Sequence, residues 1–377
     1  MSRLDKLGFY LVGWTKFYNK TLALIESNRT GYKPIWIFND EVYNKINWSI
    51  PIETSIEKLY ALRAQQLRDT YDYIILSYSG GADSLNMLKV FLDNNIFIDE
   101  IMMCIPEPDR KNLKDGDTSI RNVMGEVEYV AIPYIKSIQH RLDSKTKITI
   151  QDISKPLIEI LKKDDWVENF NPGVRLNPTP MSSQYLNIMD DHFLELSNTG
   201  KKICKLYGID KPLVIYNGHE YHAYFQDASV YHVGISELSG AKNIDDRIVT
   251  ELFYWNAEVP EIVVKQAQMI KAECELDPIK KKFWSTMKHI VAFREVMHPI
   301  IYPNLPAIKF QAGKQTGAVI KTGDNYESWF WDTITDKSKH HYLEALGQLE
   351  KTVDARYLIG GEIAKGFHAI NSKVYKL

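Results

Sequence analysis

The chain is poor in cysteine, in net charge and in long apolar runs, and each shortage removes a class of function. Only three cysteines occur in 377 residues, Cys104, Cys204 and Cys274. Widely spaced and odd in number, they make neither a disulfide framework nor a CxxC metal site, and buried apolar thiols are the expectation for all three. The formal net charge of −2 offers no general attraction to nucleic acid, so such a partner would need a local basic patch. Lys201, Lys202, Lys205 and Lys211 are one candidate patch, with a solvated helix face as the simpler reading. No stretch approaches the roughly 18 consecutive apolar residues of a membrane span. The N-terminal MSRLDKLGFYLVGW also lacks the apolar core and cleavage site of a signal peptide. A cytoplasmic protein with no membrane partner is expected.

Two phosphate-binding signatures are missing too. Neither GxxxxGK[ST] nor GxGxxG occurs anywhere, which removes the lysine-bearing phosphate loop and the dinucleotide fingerprint. Internal repeats and low-complexity tracts are absent as well.

Aromatic residues, by contrast, are plentiful, with 22 Tyr, 14 Phe and 8 Trp, and they argue for a large packed core rather than disorder. The length predicts two domains, or one large domain with an accessory part. Residues 1–54 mix short aromatic runs with polar turns and read as an N-terminal extension packed onto the middle of the chain. Residues 55–245 alternate strand and helix patterns, and residues 246–377 turn mostly helical.

Within the middle part, SIEKLYALRAQQLRD spaces its apolar residues as a helix after a possible Ser55 cap. Residues 71–78 read as a strand buried on both faces, Ser84–Asn94 as a helix, and residues 96–105 as a second strand. Residues 119–141 favour a helix at least as far as Pro133, KITIQDI a strand, Asp190–Tyr207 a helix and KPLVIY a strand. Residues 171–184, rich in Pro, Asn and Ser, read as a loop. Glu258–Cys274 reads as a helix with Pro260 in its first turn.

The informative stretch is Ser79-Gly80-Gly81-Ala82-Asp83-Ser84, which lies between the first strand and the helix after it. Glycines there let the backbone approach a ligand, and first-turn N–H groups at the positive end of the helix dipole attract an anion. The hydroxyls of Ser79 and Ser84 add donors. Asp83 cannot attract phosphate by its charge, so holding Mg²⁺ or fixing the loop through backbone amides is its expected work. A plain strand-to-helix turn capped by Asp83 or Ser84 is the alternative.

This hexapeptide resembles the SGGxDS signature of the PP-loop ATP pyrophosphatases, the adenine nucleotide alpha hydrolase-like superfamily. The order of elements over residues 55–235 is similar as well. The resemblance implies an α/β fold with a doubly wound parallel sheet and a loop that grips the β- and γ-phosphates of ATP. It also implies cleavage between the α- and β-phosphates, with AMP passed to a carbonyl or carboxylate oxygen before a nucleophile displaces it. By analogy Ser77, Ser79, Gly80, Gly81, Asp83 and Ser84 bind the nucleotide, with Asp83 first choice for Mg²⁺ and Met103–Ile105 near adenine.

The layout is nearest to the synthetase domain of asparagine synthetases, where a similar helix precedes the loop. Those enzymes carry an N-terminal glutaminase with an exposed cysteine, whereas position 2 here is Ser. Paired cysteines for sulfur transfer, a zinc-binding cysteine cluster and the C-terminal cysteine of adenylyl-sulfate reductases are lacking too. A nitrogen nucleophile and an AMP-forming ligase or amidotransferase-like reaction are therefore expected. A non-catalytic nucleotide-binding protein, a base-modifying enzyme acting on nucleic acid and an adenylyl-sulfate reductase-like protein are the alternatives. With KQAQMIKAE at residues 265–273 and the YSGGADS context, the chain also resembles PP-loop proteins of large bacteriophages.

Further candidates for catalysis lie outside the loop. His219 and Glu220 follow a strand expected to end at the same sheet edge as the loop, and suit proton transfer. With His222 and His232 they also invite a metal, although HExH is not the i, i+4 pair of a zinc helix. Arg175, Lys309 and Lys314 offer cations for an α-phosphate, with ordinary solvated side chains as the competing reading. The aromatic run around Trp329, Phe330 and Trp331 reads as core or as an intersubunit face in a homo-oligomer. The acceptor is expected to be a small molecule or a nucleobase.

Overall fold

The structure is a computed structural model. It describes residues 4–105, 126–152, 159, 161–165, 191–227, 247–286, 290–305, 333–352 and 370–377. The N-terminal stretch forms β1 (Phe9–Val12), β2 (Thr15–Phe17), helix α1 (Lys20–Thr30), β3 (Ile35–Ile37) and the short helix α2 (Asp40–Tyr43). Its three strands make an antiparallel sheet ordered β2-β1-β3. Asn19 caps α1 by accepting from the Leu22 N–H, and Gly31, at φ 78, closes it.

Helix α3 (Ile56–Thr70) begins where the sequence predicts, with Ser55 Oγ accepting from the Lys58 N–H. After it come β4 (Tyr73–Ser77), helix α4 (Ala82–Asp93), β5 (Glu100–Ile105) and β6 (Lys147–Asp152), followed by β7 (Ile203–Tyr207). The chain continues through the hairpin of β8 (Leu213–Tyr216) and β9 (Tyr221–Tyr224) to β10 (Ile248–Leu252). Helices Glu261–Leu276, Pro278–Thr286, Ile290–Ile301 and Asp336–Thr352 lead to a last short strand, β11 (Tyr375–Lys376).

Five of these strands form a parallel sheet ordered β10-β7-β4-β5-β6. The chain therefore enters at the centre, builds outward through β5 and β6, and returns to the other side of β4 for β7 and β10. Strands β5, β7 and β10 are buried almost throughout, as a sheet covered on both faces requires. The molecule is thus a mixed α/β protein built on a parallel sheet. No helix among the described residues is long and apolar enough to cross a membrane.

Two expectations are corrected. The helix expected over Asp190–Tyr207 ends at Ser197, and Ile203–Tyr207 is strand β7. Its five residues are all buried, so pairing on both sides outweighs a helical spacing. Strand β10, just past the boundary expected near residue 245, pairs in parallel with β7. Finally, β8 from KPLVIY does not join the parallel sheet; it pairs antiparallel with β9, and β11 completes a separate three-stranded sheet.

At Pro133 the expected helix continues in altered form. A π-helical turn, Val127–Ala131, runs into the helix Ile132–Ser137, and proline occupies its first turn, where a missing N–H costs little.

One apolar cluster joins the N-terminal sheet to the parallel sheet and to the C-terminal strand. Phe38, Tyr43 and Trp48 pack against Phe225, with ring centroids 4.8, 4.7 and 6.2 Å apart. Trp48 also stacks on Tyr375 at 4.6 Å. Residues 4–54 therefore pack onto later parts of the chain, and aromatic burial supplies the adhesion.

Candidate functional site

The site is built from the ends of three neighbouring strands, β4, β7 and β10, at the carboxyl edge of the parallel sheet. Beyond β4 the Tyr78 N–H bonds to Met102 O at 2.8 Å, which extends the pairing with β5. Ser79, Gly80 and Gly81 then turn the chain into α4, with Gly81 as its N-cap residue. Ser84 Oγ accepts from the Ser79 N–H at 3.2 Å and donates to Gly81 O at 3.1 Å, and it lies 3.2 Å from Ser79 Oγ. The two hydroxyls thus brace the turn from inside.

Gly80 is required by geometry. Its φ is 84, and a Cβ there would lie 3.0 Å from Ala131 Cβ and 3.1 Å from both Ala131 N and Glu126 O. The π-helical segment therefore presses on the loop. From the other side Gly208, just past β7, approaches the backbone of Asp83 and Ser84 closely enough that a Cβ would meet it at 3.1 Å. The N–H groups of Ala82, Asp83 and Ser84 have no intrahelical partners, as in any first helical turn. Ser77 Oγ, at the end of β4, is buried with no hydrogen-bond partner among the described residues. Such a turn can hold an anion.

Asp83 is the hub. Its carboxylate receives the Lys211 ammonium on Oδ2 and the Tyr302 hydroxyl on Oδ1 at 2.6 Å, with His298 Nε2 4.0 Å away. Lys211 also donates to Asp210 Oδ1 at 3.0 Å. The Asp83 main-chain oxygen accepts from the Tyr254 hydroxyl at 2.9 Å, and that hydroxyl accepts from Asn86 Nδ2 at 2.9 Å. Tyr60, Tyr254 and Tyr302 pack together behind this network, with Tyr254 to Tyr302 centroids 5.5 Å apart.

These contacts set the protonation of the group. Burial alone would raise the Asp83 carboxyl, but Lys211 and His298, with the bonds from Lys211 and Tyr302, hold it well below the usual carboxylate range. Burial, and then the charge of Asp83, push the Tyr302 phenol well above its ordinary value, so it stays a donor. Both Asp83 oxygens are accordingly engaged. A Mg²⁺ ion on Asp83 would have to share a carboxylate whose two oxygens already accept from Lys211 and Tyr302.

The other predicted residues lie elsewhere. His219 and Glu220 sit in the turn between β8 and β9, where Asn217 Oδ1 accepts from both of their N–H groups. Glu220 pairs with Lys376 and, at 3.2 Å, with His222. The bond from Lys376 holds its carboxyl below the ordinary value. Their sheet is not the one that carries the loop, so the shared edge expected for them is not formed. Arg175, Lys309, Lys314, His232 and Trp329–Trp331 lie outside the described residues. Met103 and Ile105 are buried within β5 and Cys104 half-buried.

The basic patch is not formed either. Lys205 is buried 4.8 Å over the Phe193 ring and Lys211 is buried on Asp83, which leaves Lys201 and Lys202 exposed. Cys204 and Cys274 are buried, and burial raises both thiols, Cys274 to about 11.

The sequence places Lys211 only in the candidate basic patch and marks none of Tyr302, His298 or Tyr254; all four meet Asp83 through the fold alone. Gly208 leaves one legible signal, a glycine directly after a strand in KLYGIDK. A cavity of about 330 Å³ beside β10 is separate from this site. Its carboxylates, Glu251 and Glu258, are already engaged by Arg63, Tyr71 and Lys6. Comparison with family models, curated proteins and solved structures found no match to this chain.

Proposed function

We propose that the chain is an ATP-dependent, AMP- and pyrophosphate-forming enzyme of the PP-loop type, with a doubly wound sheet. The observation that carries this reading is the position of Ser79-Gly80-Gly81-Ala82-Asp83-Ser84. The loop joins the central strand β4 to α4 at the point where the strand order reverses, which is where parallel α/β sheets bind nucleotides. Ser77 Oγ, buried with no partner among the described residues, and the first-turn N–H groups of α4 supply donors of the kind polyphosphate needs.

In the proposed reaction a carbonyl or carboxylate oxygen of the acceptor attacks the α-phosphorus. The new O–P bond forms as the bond between the α-phosphorus and the bridging oxygen breaks, and pyrophosphate leaves with its electron pair. A nitrogen nucleophile then attacks the activated carbon and AMP departs. The loop's part is to hold and orient the leaving pyrophosphate. A sulfur route is disfavoured by raised, buried Cys204 and Cys274 thiols.

Incubation with α-labelled ATP, Mg²⁺ and panels of carboxylates, amides and nucleobases tests the reading. Labelled AMP that depends on one acceptor supports it, and labelled ADP without AMP overturns it. ATP bound tightly but unchanged makes the chain a nucleotide-binding protein instead. Salt-dependent binding to tRNA or DNA, with AMP formed only in its presence, assigns the acceptor to nucleic acid.

A further inference from the structure

Among the described residues, the ammonium bonded to the loop's Asp83 comes from a residue far away in sequence, and one of its protons is unspent. Lys211 is 5% exposed, and its ammonium donates to Asp83 and Asp210. An ammonium carries three protons, and no third partner for it occurs among the described residues. Two of the three protons are matched, and the ammonium keeps the capacity to donate once more. Ser77 Oγ is a buried polar atom with no partner among the described residues. The two belong to neighbouring strands, Ser77 to the end of β4 and Lys211 to the stretch after β7.

Asp83 fixes where that ammonium sits. Tyr302 holds one carboxylate oxygen, Tyr254 holds the main-chain oxygen of the same residue, and Gly208 packs against its backbone. The backbone of Asp83 is thus fixed, and swinging its carboxylate away from Lys211 would break the Tyr302 bond. Asp210 is the looser partner, its side chain 36% exposed.

We propose that the third N–H of Lys211 is the phosphate contact of this site, and that Asp83 is its positioning residue rather than a ligand of Mg²⁺. The assignment rests on the nucleotide reading of the loop. It explains why a loop with no lysine of its own can serve polyphosphate. Because two carboxylates flank Lys211, its contribution is a directed hydrogen bond rather than net charge, and any divalent cation arrives on the phosphates themselves.

The test uses the full chain and calorimetric titration with inorganic pyrophosphate and with ATP, each in EDTA and in Mg²⁺. The wild type should bind pyrophosphate in EDTA. Lys211→Met and Lys211→Gln should each weaken that binding at least tenfold while near-ultraviolet dichroism stays native. Asp83→Asn should weaken it less and add nothing in the Lys211→Met background, because it acts through the lysine; a merely structural role would add. Mn²⁺ binding without nucleotide, read by electron paramagnetic resonance, should be the same in Asp83→Asn and wild type. A readout that needs no variant is the Lys211 ammonium resonance, which should shift when pyrophosphate is added to the ¹⁵N-labelled wild type.

Unchanged pyrophosphate affinity in folded Lys211 variants, or an unmoved ammonium resonance at saturating pyrophosphate, overturns the assignment. So does binding that requires Mg²⁺ and vanishes with Asp83→Asn alone. A wild type that binds pyrophosphate but not ATP keeps the Lys211 contact and sinks the ATP reading, whereas one that binds neither sinks both.

Discussion

Gly208 and Asp83 are in backbone contact: a Cβ on Gly208 would fall 3.1 Å from the carbonyl carbon of Asp83 and 3.2 Å from its oxygen. The end of β7 thereby supports the first turn of α4. Gly208→Val would force its branched side chain against fixed backbone, and the expected loss is about 1–3 kcal/mol. Urea denaturation reads the loss, and nucleotide titration should show weaker binding in the variant that remains folded. Wild-type stability and affinity would refute the contact.

Gly80 makes the matching contact on the loop's other side. Gly80→Ala places a side chain at φ 84 and 3.0 Å from Ala131 Cβ, so strain of about 1–3 kcal/mol is expected. Hydrogen exchange should quicken at residues 79–84 and 126–131 together, because the two segments bear on each other. Exchange confined to one segment would contradict that.

Asp83 makes stability depend on pH in a defined direction. Its folded carboxyl titrates below the unfolded one, so its contribution is present above the ordinary carboxylate value of about 4 and is lost as pH falls below it. The stability gap between wild type and Asp83→Asn, measured in urea, should be widest near neutrality and shrink towards pH 3. A gap independent of pH would contradict the assigned bonds.

Arg63 holds α3 to the edge of the sheet. Fully buried, it donates to Glu251 Oε2 at 2.7 Å, to Leu252 O at 2.9 Å and to Gln66, while the Tyr71 hydroxyl bonds the other oxygen of Glu251. Arg63→Met keeps most of the volume but strands the Glu251 charge, and a loss of about 3–5 kcal/mol is expected. Guanidinium denaturation measures it. A loss below about 1 kcal/mol would mean that Glu251 is satisfied without Arg63.

What is legible in the sequence, and what is not, has a physical origin. The Ser55 cap, β4, α4, β5 and the helix Glu261–Leu276 are legible because capping, turn chemistry and apolar spacing are local signals. Strand β7 reads as helix because a five-residue buried run carries no period of its own, and its identity comes from the strands on either side. The same holds for β8, whose apolar residues do not reveal which sheet they join. In the site the loop is legible and its surroundings are not: Lys211 reaches Asp83 across 128 residues and Tyr302 across 219. In sequence Lys211 looks like one more surface lysine, and only the fold supplies its carboxylates.

The bond at which ATP is cut tests the proposed function most directly. With γ-labelled ATP, Mg²⁺ and the acceptor that elicits AMP, in preparations free of pyrophosphatase, the label should appear in pyrophosphate. Label released as orthophosphate would place the cleavage at the γ-phosphate and contradict the proposed function of the Ser79–Ser84 loop.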